Sequence, residues 1–368
     1  MQRRLALQRV LFGIVAIIAL ALPSLAQPAN AFPLQSGNAK SSQDKGDAES
    51  ALRKGISLTR QGLFQEAITP LVQAQGRVVE EYAARFNLAL CYFGTGNYVK
   101  SIEILKDLRS SSYGTAAVNN LLAQAYVGER QPEQAIAALT EASRQTPNDE
   151  KLYAYVSDAS TDHYEYDLGL RVADLGLKHL PESARLHYER AMFLARLDRF
   201  EEAKPEFDRA SELAPESDIA YLAVVQKELY EDNFAEALRS VRRGLQSGHR
   251  DYQMLSLLGT ILMHVGVAPG QPEFIEAREA LEASVAVRPN YSTSQIALGK
   301  LCLMENRVNE AVVHLEIGRS LEPRNLAIYP SLAEAYRRRG DLNRSHECLK
   351  ILSGLLREKS LPMVSPNR

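Results

Sequence analysis

Residues 81–147 read EYAARFNLALCYFGTGNYVKSIEILKDLRSSSYGTAAVNNLLAQAYVGERQPEQAIAALTEASRQTP, and the same apolar pattern runs through them twice. Ser101 is followed four positions on by Leu105, and Ala135 by Leu139. Tyr92 and Tyr126 each stand nine residues before the small residue, with Leu88 and Leu122 four further back. Apolar residues three, four and seven apart lie on one stripe of a helix. Two stripes per period, with a polar turn such as Gly94-Thr95-Gly96-Asn97 between them, make a helical hairpin.

The pattern extends both ways from this stretch. The small residues are Ala67, Ser101, Ala135, Gly169, Ala203, Ala237, Ala277, Ala311 and Ser345. Successive gaps are 34 residues, except for one of 40 between Ala237 and Ala277. Their partners four positions later are Leu71, Leu105, Leu139, Ala173, Phe207, Val241, Leu281, Leu315 and Leu349. Pro147, Pro181, Pro215, Pro289 and Pro323 close several periods at one phase. Proline lacks an N–H and clashes with the preceding turn, so each one stops a helix. A lone hairpin cannot bury its own stripe, so the units must stack. The six extra residues fall around Val267-Ala268-Pro269-Gly270-Gln271-Pro272, where they are expected to lengthen one turn. A longer turn costs under about 1 kcal/mol in closure entropy, so the phase returns.

This phase and these residue types resemble the tetratricopeptide repeat family. The resemblance covers residues 48–358 and implies an all-α fold, a right-handed α-solenoid of about nine helix-turn-helix units. None of the units carries the family's tryptophan. The fourth unit, 150–183, has Ser157, Ser160 and Gly169 at signature sites and is expected to pack more loosely. The sixth has Glu228 where an aromatic is expected, which puts its register in doubt.

The rest of the chain is organised around this array. Arg3, Arg4 and Arg9 precede an uncharged apolar run, Val10 to Leu22, and then Pro23-Ser24-Leu25-Ala26. That is the three-part pattern of a secretory signal peptide over residues 1–26. A spanning helix needs about 20 apolar residues, so an uncleaved anchor is the weaker reading. Export to a periplasmic or extracellular space is therefore expected, with no membrane span left after cleavage. Residues 27–47, QPANAFPLQSGNAKSSQDKGD, show no apolar period and read as a disordered linker. Residues 359–368 form a C-terminal tail.

Charge and composition exclude several functions. The chain has 43 Lys+Arg against 45 Asp+Glu, and cleavage after Ala26 would leave 40 against 45. No positive field draws it to nucleic acid. The three Cys rule out a disulfide scaffold and a cysteine-rich zinc fold. No pair of the seven His has the spacing of a helical zinc site. The densest polar cluster, Asp162-His163-Tyr164-Glu165-Tyr166-Asp167, falls in a turn. No phosphate-binding loop and no serine-hydrolase elbow is present. The reading is therefore a non-enzyme without metal or other cofactor.

The family resemblance places positions 2, 5, 9 and 12 of each first helix on a concave face. Carried over, this gives a partner-binding groove of Phe86, Leu90, Phe93, Asn120, Gln124, Tyr188, Met192, Leu222 and Gln226. Apolar members would take apolar side chains of a protein or peptide partner, and the amides would hydrogen-bond its backbone. Lys151, Arg185 and Lys300 are too scattered for the basic clamp some family members use. The resemblance also admits an envelope polysaccharide export or assembly component. Leu349, Leu352, Leu355 and Leu356 crowd the last helix, so its end is expected to be covered by the tail or by self-association.

Overall fold

The computed structural model describes residues 39–360, and every secondary-structure element among them is a helix. The described chain divides into two compact units, one running to Leu213 and the other starting at Ala214. The N-terminal unit holds five hairpins: α1 (Ala39–Arg60) with α2 (Phe64–Ala74), α3 (Glu81–Gly94) with α4 (Tyr98–Ser110), α5 (Ala116–Gly128) with α6 (Pro132–Gln145), α7 (Glu150–Asp162) with α8 (Tyr166–His179), and α9 (Ala184–Arg196) with α10 (Phe200–Leu213). The C-terminal unit holds four: α11 (Asp218–Tyr230) with α12 (Phe234–Gln246), α13 (Tyr252–His264) with α14 (Pro272–Val287), α15 (Ser292–Met304) with α16 (Val308–Leu321), and α17 (Ile328–Arg338) with α18 (Leu342–Ser360). The fold class is an all-α helical-repeat solenoid.

The small residue of each period sits where the two helices of a hairpin touch. Ala67, Ser101, Ala135, Ala237, Ala277 and Ala311 are completely buried. Serine replaces alanine where it has a task. The Ser101 hydroxyl donates to the Ala89 carbonyl at 2.9 Å, and Ser345 does the same to Ala333 at 2.9 Å. Pro147, Pro181, Pro215, Pro289 and Pro323 each lie two residues past the last helical residue of α6, α8, α10, α14 and α16, as helix termination by proline requires.

The turns obey a period that the sequence hides. Gly62, Gly96, Arg130, Tyr164, Asp198, Asp232, Gly266, Asn306 and Gly340 all have positive φ, and they share the 34-residue phase. In each hairpin with a three-residue turn, the next N–H reaches back five residues to a helix carbonyl. Asn97 N to Tyr92 O is 2.8 Å, and Arg307 N to Cys302 O is 2.8 Å. This is the Schellman closure, in which one left-handed residue satisfies the orphan carbonyls at a helix end.

Three expectations need correction. The segment read as a linker is helical from Ala39 onward, because extending an existing helix costs little per residue and Lys, Gln and Ala tolerate it. The fourth unit does pack more loosely, as expected: α7 and α8 pack on each other less closely than the two helices of any other described hairpin, and Phe193 of α9 fills the space at Gly169, where a Cβ would lie 2.3 Å from its ring. The sixth unit keeps its register, since Asn233 N closes on Glu228 O at 2.8 Å as the other turns do. The six extra residues of the seventh unit do not all enter the turn. Its turn runs from 265 to 271 and α14 begins five residues before Ala277, whereas α16 begins three before Ala311. Four residues thus lengthen the turn and two lengthen α14, whose Pro272 occupies the first helical turn, a favoured proline site. The predicted signal segment, 1–26, and most of the predicted tail lie outside the described residues.

Candidate functional site

The nine groove residues separate by burial. Phe86, Leu90, Phe93, Asn120, Gln124 and Leu222 are buried, and only Tyr188, Met192 and Gln226 are half-exposed. The buried six therefore serve packing rather than a free wall. Phe86 stacks on Tyr82 at 5.6 Å, and the Phe93 ring lies 5.5 Å from Tyr98. The amides are spent internally: Asn120 Nδ2 donates to Leu152 O at 2.7 Å, and Gln124 Nε2 donates to Asn120 Oδ1 at 2.8 Å. Asn120 thereby ties α5 to α7, a role that residue spacing does not announce.

Accessible chemistry in the N-terminal unit gathers on α7 and α9. Lys151, Asp158 and Thr161 are exposed on α7, and Arg185, Tyr188 and Met192 are half-exposed on α9. Arg185 Nε donates to Glu189 Oε1 at 2.7 Å, and its Nη2 lies 3.7 Å from Asp158 Oδ2. The helices beneath are held firmly. His187 Nδ1 is 2.6 Å from Glu206 Oε2 and its Nε2 is 3.0 Å from Pro181 O. Arg190 bridges Asp174 and Glu206 at 2.7 Å each. Tyr188 leans on Phe207 with ring centroids 6.1 Å apart. These ties join α8, α9 and α10 and fix the face that α9 presents.

Three buried polar atoms here have no hydrogen-bond partner among the described residues: the Tyr155 hydroxyl, the Ser157 hydroxyl and Glu189 Oε2. Burial pushes the Glu189 carboxyl up to about 7; Arg185 opposes that shift and Asp158 adds to it. Above its ordinary range the carboxylate is ionised in the unfolded chain but still protonated in the fold. Stability should therefore fall as pH rises from about 4.5 to about 7 and level off above. Glu189→Gln should flatten that slope and raise stability at pH 8 by about 1–2 kcal/mol. Thermal melts from pH 4.5 to 8 would check it; a variant with the parent's slope would refute the assignment.

The other sequence leads resolve differently. In the 162–167 turn, Tyr98 Oη lies 3.3 Å from His163 Nε2, and burial lowers the His163 pKa. No group of three or more metal-ligating side chains occurs among the described residues. Cys91, Cys302 and Cys348 are free and buried, and burial pushes the Cys91 thiol up to about 12. No described helix is long and apolar enough to cross a membrane.

Comparison with known proteins points one way. Tetratricopeptide repeat family models match residues 52–115 and 184–217. The fold is similar to a structure of the APC/C hetero-tetramer Cut9–Hcn1, with 13% identity, TM-score 0.50, and coverage of 86% of this chain and 76% of that one. It is also similar to a tetratricopeptide repeat protein from Parabacteroides merdae, with 17% identity, TM-score 0.50, and coverage of 69% of this chain and 98% of that one. At these identities the likeness concerns the fold alone. No curated protein matches the chain.

Proposed function

The chain belongs to the tetratricopeptide repeat family, and from that premise we propose that it is a non-catalytic scaffold that binds a segment of a partner protein on the α7–α9 face. The observation that carries this reading is that α7 and α9 present exposed Lys151, Asp158 and Thr161 beside half-exposed Arg185, Tyr188 and Met192, an apolar pair rimmed by charge. Tyr188 and Met192 add a firm aromatic and an adaptable thioether, surfaces that take apolar side chains well. Arg185 and Asp158 set orientation through charge at the rim. The apolar run after Arg3, Arg4 and Arg9 supports a site of action outside the cytoplasm.

The experiment is affinity capture from the source organism's envelope fraction, with Tyr188→Ala combined with Met192→Ala. Partners held by the parent chain should be lost at least about tenfold while the helical signal shows the fold retained. An unchanged partner set would sink the proposal. Phe86→Ala is not a suitable probe, because Phe86 is 2% exposed and its loss would disturb the core.

A further inference from the structure

The C-terminal unit holds a cleft of about 410 Å³ between the second helices of its first two hairpins, α12 and α14, with α13 beneath. Its floor is apolar: Leu245, Leu255 and Leu258 line it and are 5–9% exposed. Its walls are oppositely charged. Arg242 and Gln246 of α12, with Arg250 just beyond, stand on one side, and Glu276 and Glu279 of α14 on the other. One pair is already joined: Arg242 Nε lies 3.1 Å from Glu276 Oε1, and Nη2 lies 2.5 Å from Oε2. Such a bidentate bridge satisfies both groups and leaves neither for a ligand. It also shows that side chains of the two helices meet across the cleft. Gln246 and Glu279 stand one turn beyond the bridge on helices that run the same way. Among the described residues neither the Arg250 guanidinium nor the Glu279 carboxylate has a hydrogen bond or an ion pair, and both residues are exposed.

We propose that this cleft binds a free α-amino acid with an aliphatic side chain. The cleft presents one unpaired cation, one unpaired anion and an apolar floor. An aliphatic amino acid at neutral pH presents the complement: one carboxylate, one ammonium and one apolar group. The carboxylate accepts a forked pair of hydrogen bonds from Arg250, the geometry a guanidinium is shaped for. The ammonium donates to Glu279, and the side chain lies on Leu255 and Leu258. The Gln246 amide takes whichever carboxylate oxygen Arg250 leaves underused. The volume is that of a small-molecule site. The main chain of a protein segment brings neither charge, so it would leave Arg250 and Glu279 unmet. The site is separate from the α7–α9 face, and its test does not depend on that reading.

Isothermal titration of the full chain with L-leucine should show one saturable site. L-Leucinamide lacks the carboxylate and N-acetyl-L-leucine lacks the ammonium, so each should bind at least about tenfold more weakly. Arg250→Gln should erase the preference for leucine over leucinamide, and Glu279→Gln the preference over N-acetyl-leucine. Both side chains are exposed, so the helical signal should be unchanged in each variant. Absence of saturable L-leucine binding to the parent chain overturns the proposal. So does leucine binding that both variants retain at full strength, since the ligand would then sit elsewhere. Saturable binding of a blocked peptide of aspartate, leucine and lysine, without binding of L-leucine, would equally overturn it by making the cleft a site for a protein segment.

Discussion

Replacing Phe274 with alanine should cost about 3–5 kcal/mol of unfolding free energy, a large part of what holds a domain folded. Phe274 is 1% exposed and stands three residues before Ala277 at the start of α14. The same phase carries Phe64, whose ring lies where a Cβ on Gly94 would come within 2.5 Å, so the position joins one hairpin to the next. Truncation would remove the ring and leave a void that packed helices relax into only partly. Its neighbour Ile275 is 42% exposed, and Ile275→Ala should cost under about 1 kcal/mol. Denaturant titration of both variants checks the contrast. Similar losses would mean that the 34-residue phase does not assign the buried side of α14.

Gly259→Leu should be the most damaging change in the opposite direction, with added rather than lost volume. An ideal Cβ at Gly259 would lie 2.4 Å from Leu281 Cγ and 3.0 Å from the Ala277 carbonyl oxygen. Leu281 is completely buried and the carbonyl is backbone, so neither yields without α13 and α14 parting. Overpacking of this kind costs about 1–3 kcal/mol or more. Gly354 is the control. A Cβ there meets nothing within 4 Å on exposed α18. Gly354→Ala should stabilise by about 0.5–1 kcal/mol through helix propensity alone. Melting curves of the two variants should shift in opposite directions, and a tolerated Gly259→Leu would contradict the close approach.

What the sequence discloses of this molecule follows from what a one-dimensional period can carry. The positions of Ala67 through Ser345 predict nine hairpins, and the helices appear at that phase, because burial between helices demands small and apolar residues at fixed spacing. The turn period stayed hidden for a physical reason. Its left-handed residue is glycine at 62, 96, 266 and 340 but Arg130, Tyr164, Asp198, Asp232 and Asn306 elsewhere, since the closing hydrogen bonds offset the strain that a side chain meets there. The groove was legible only as a face. Spacing puts Leu90 and Met192 in equivalent positions, but it cannot say that one is 1% exposed and the other half-exposed. That difference depends on which neighbours fill the space. Asn120 and Gln124 looked available because they are polar, yet the fold brings the Leu152 carbonyl to Asn120, and Gln124 is spent on Asn120 one turn back on the same helix. Tyr155 and Glu189 escaped notice for the converse reason: their missing partners are a property of three-dimensional surroundings.

Amide hydrogen exchange over the whole chain tests the central claim most directly, that one 34-residue phase governs how every hairpin is built and joined. Protected stretches should coincide with the helices and be separated by fast-exchanging turns at 62, 96, 130, 164, 198, 232, 266, 306 and 340, the turn at 265–271 being the longest of these, and by the links between hairpins. Protected stretches that cross those turns, or that follow another spacing, would contradict it.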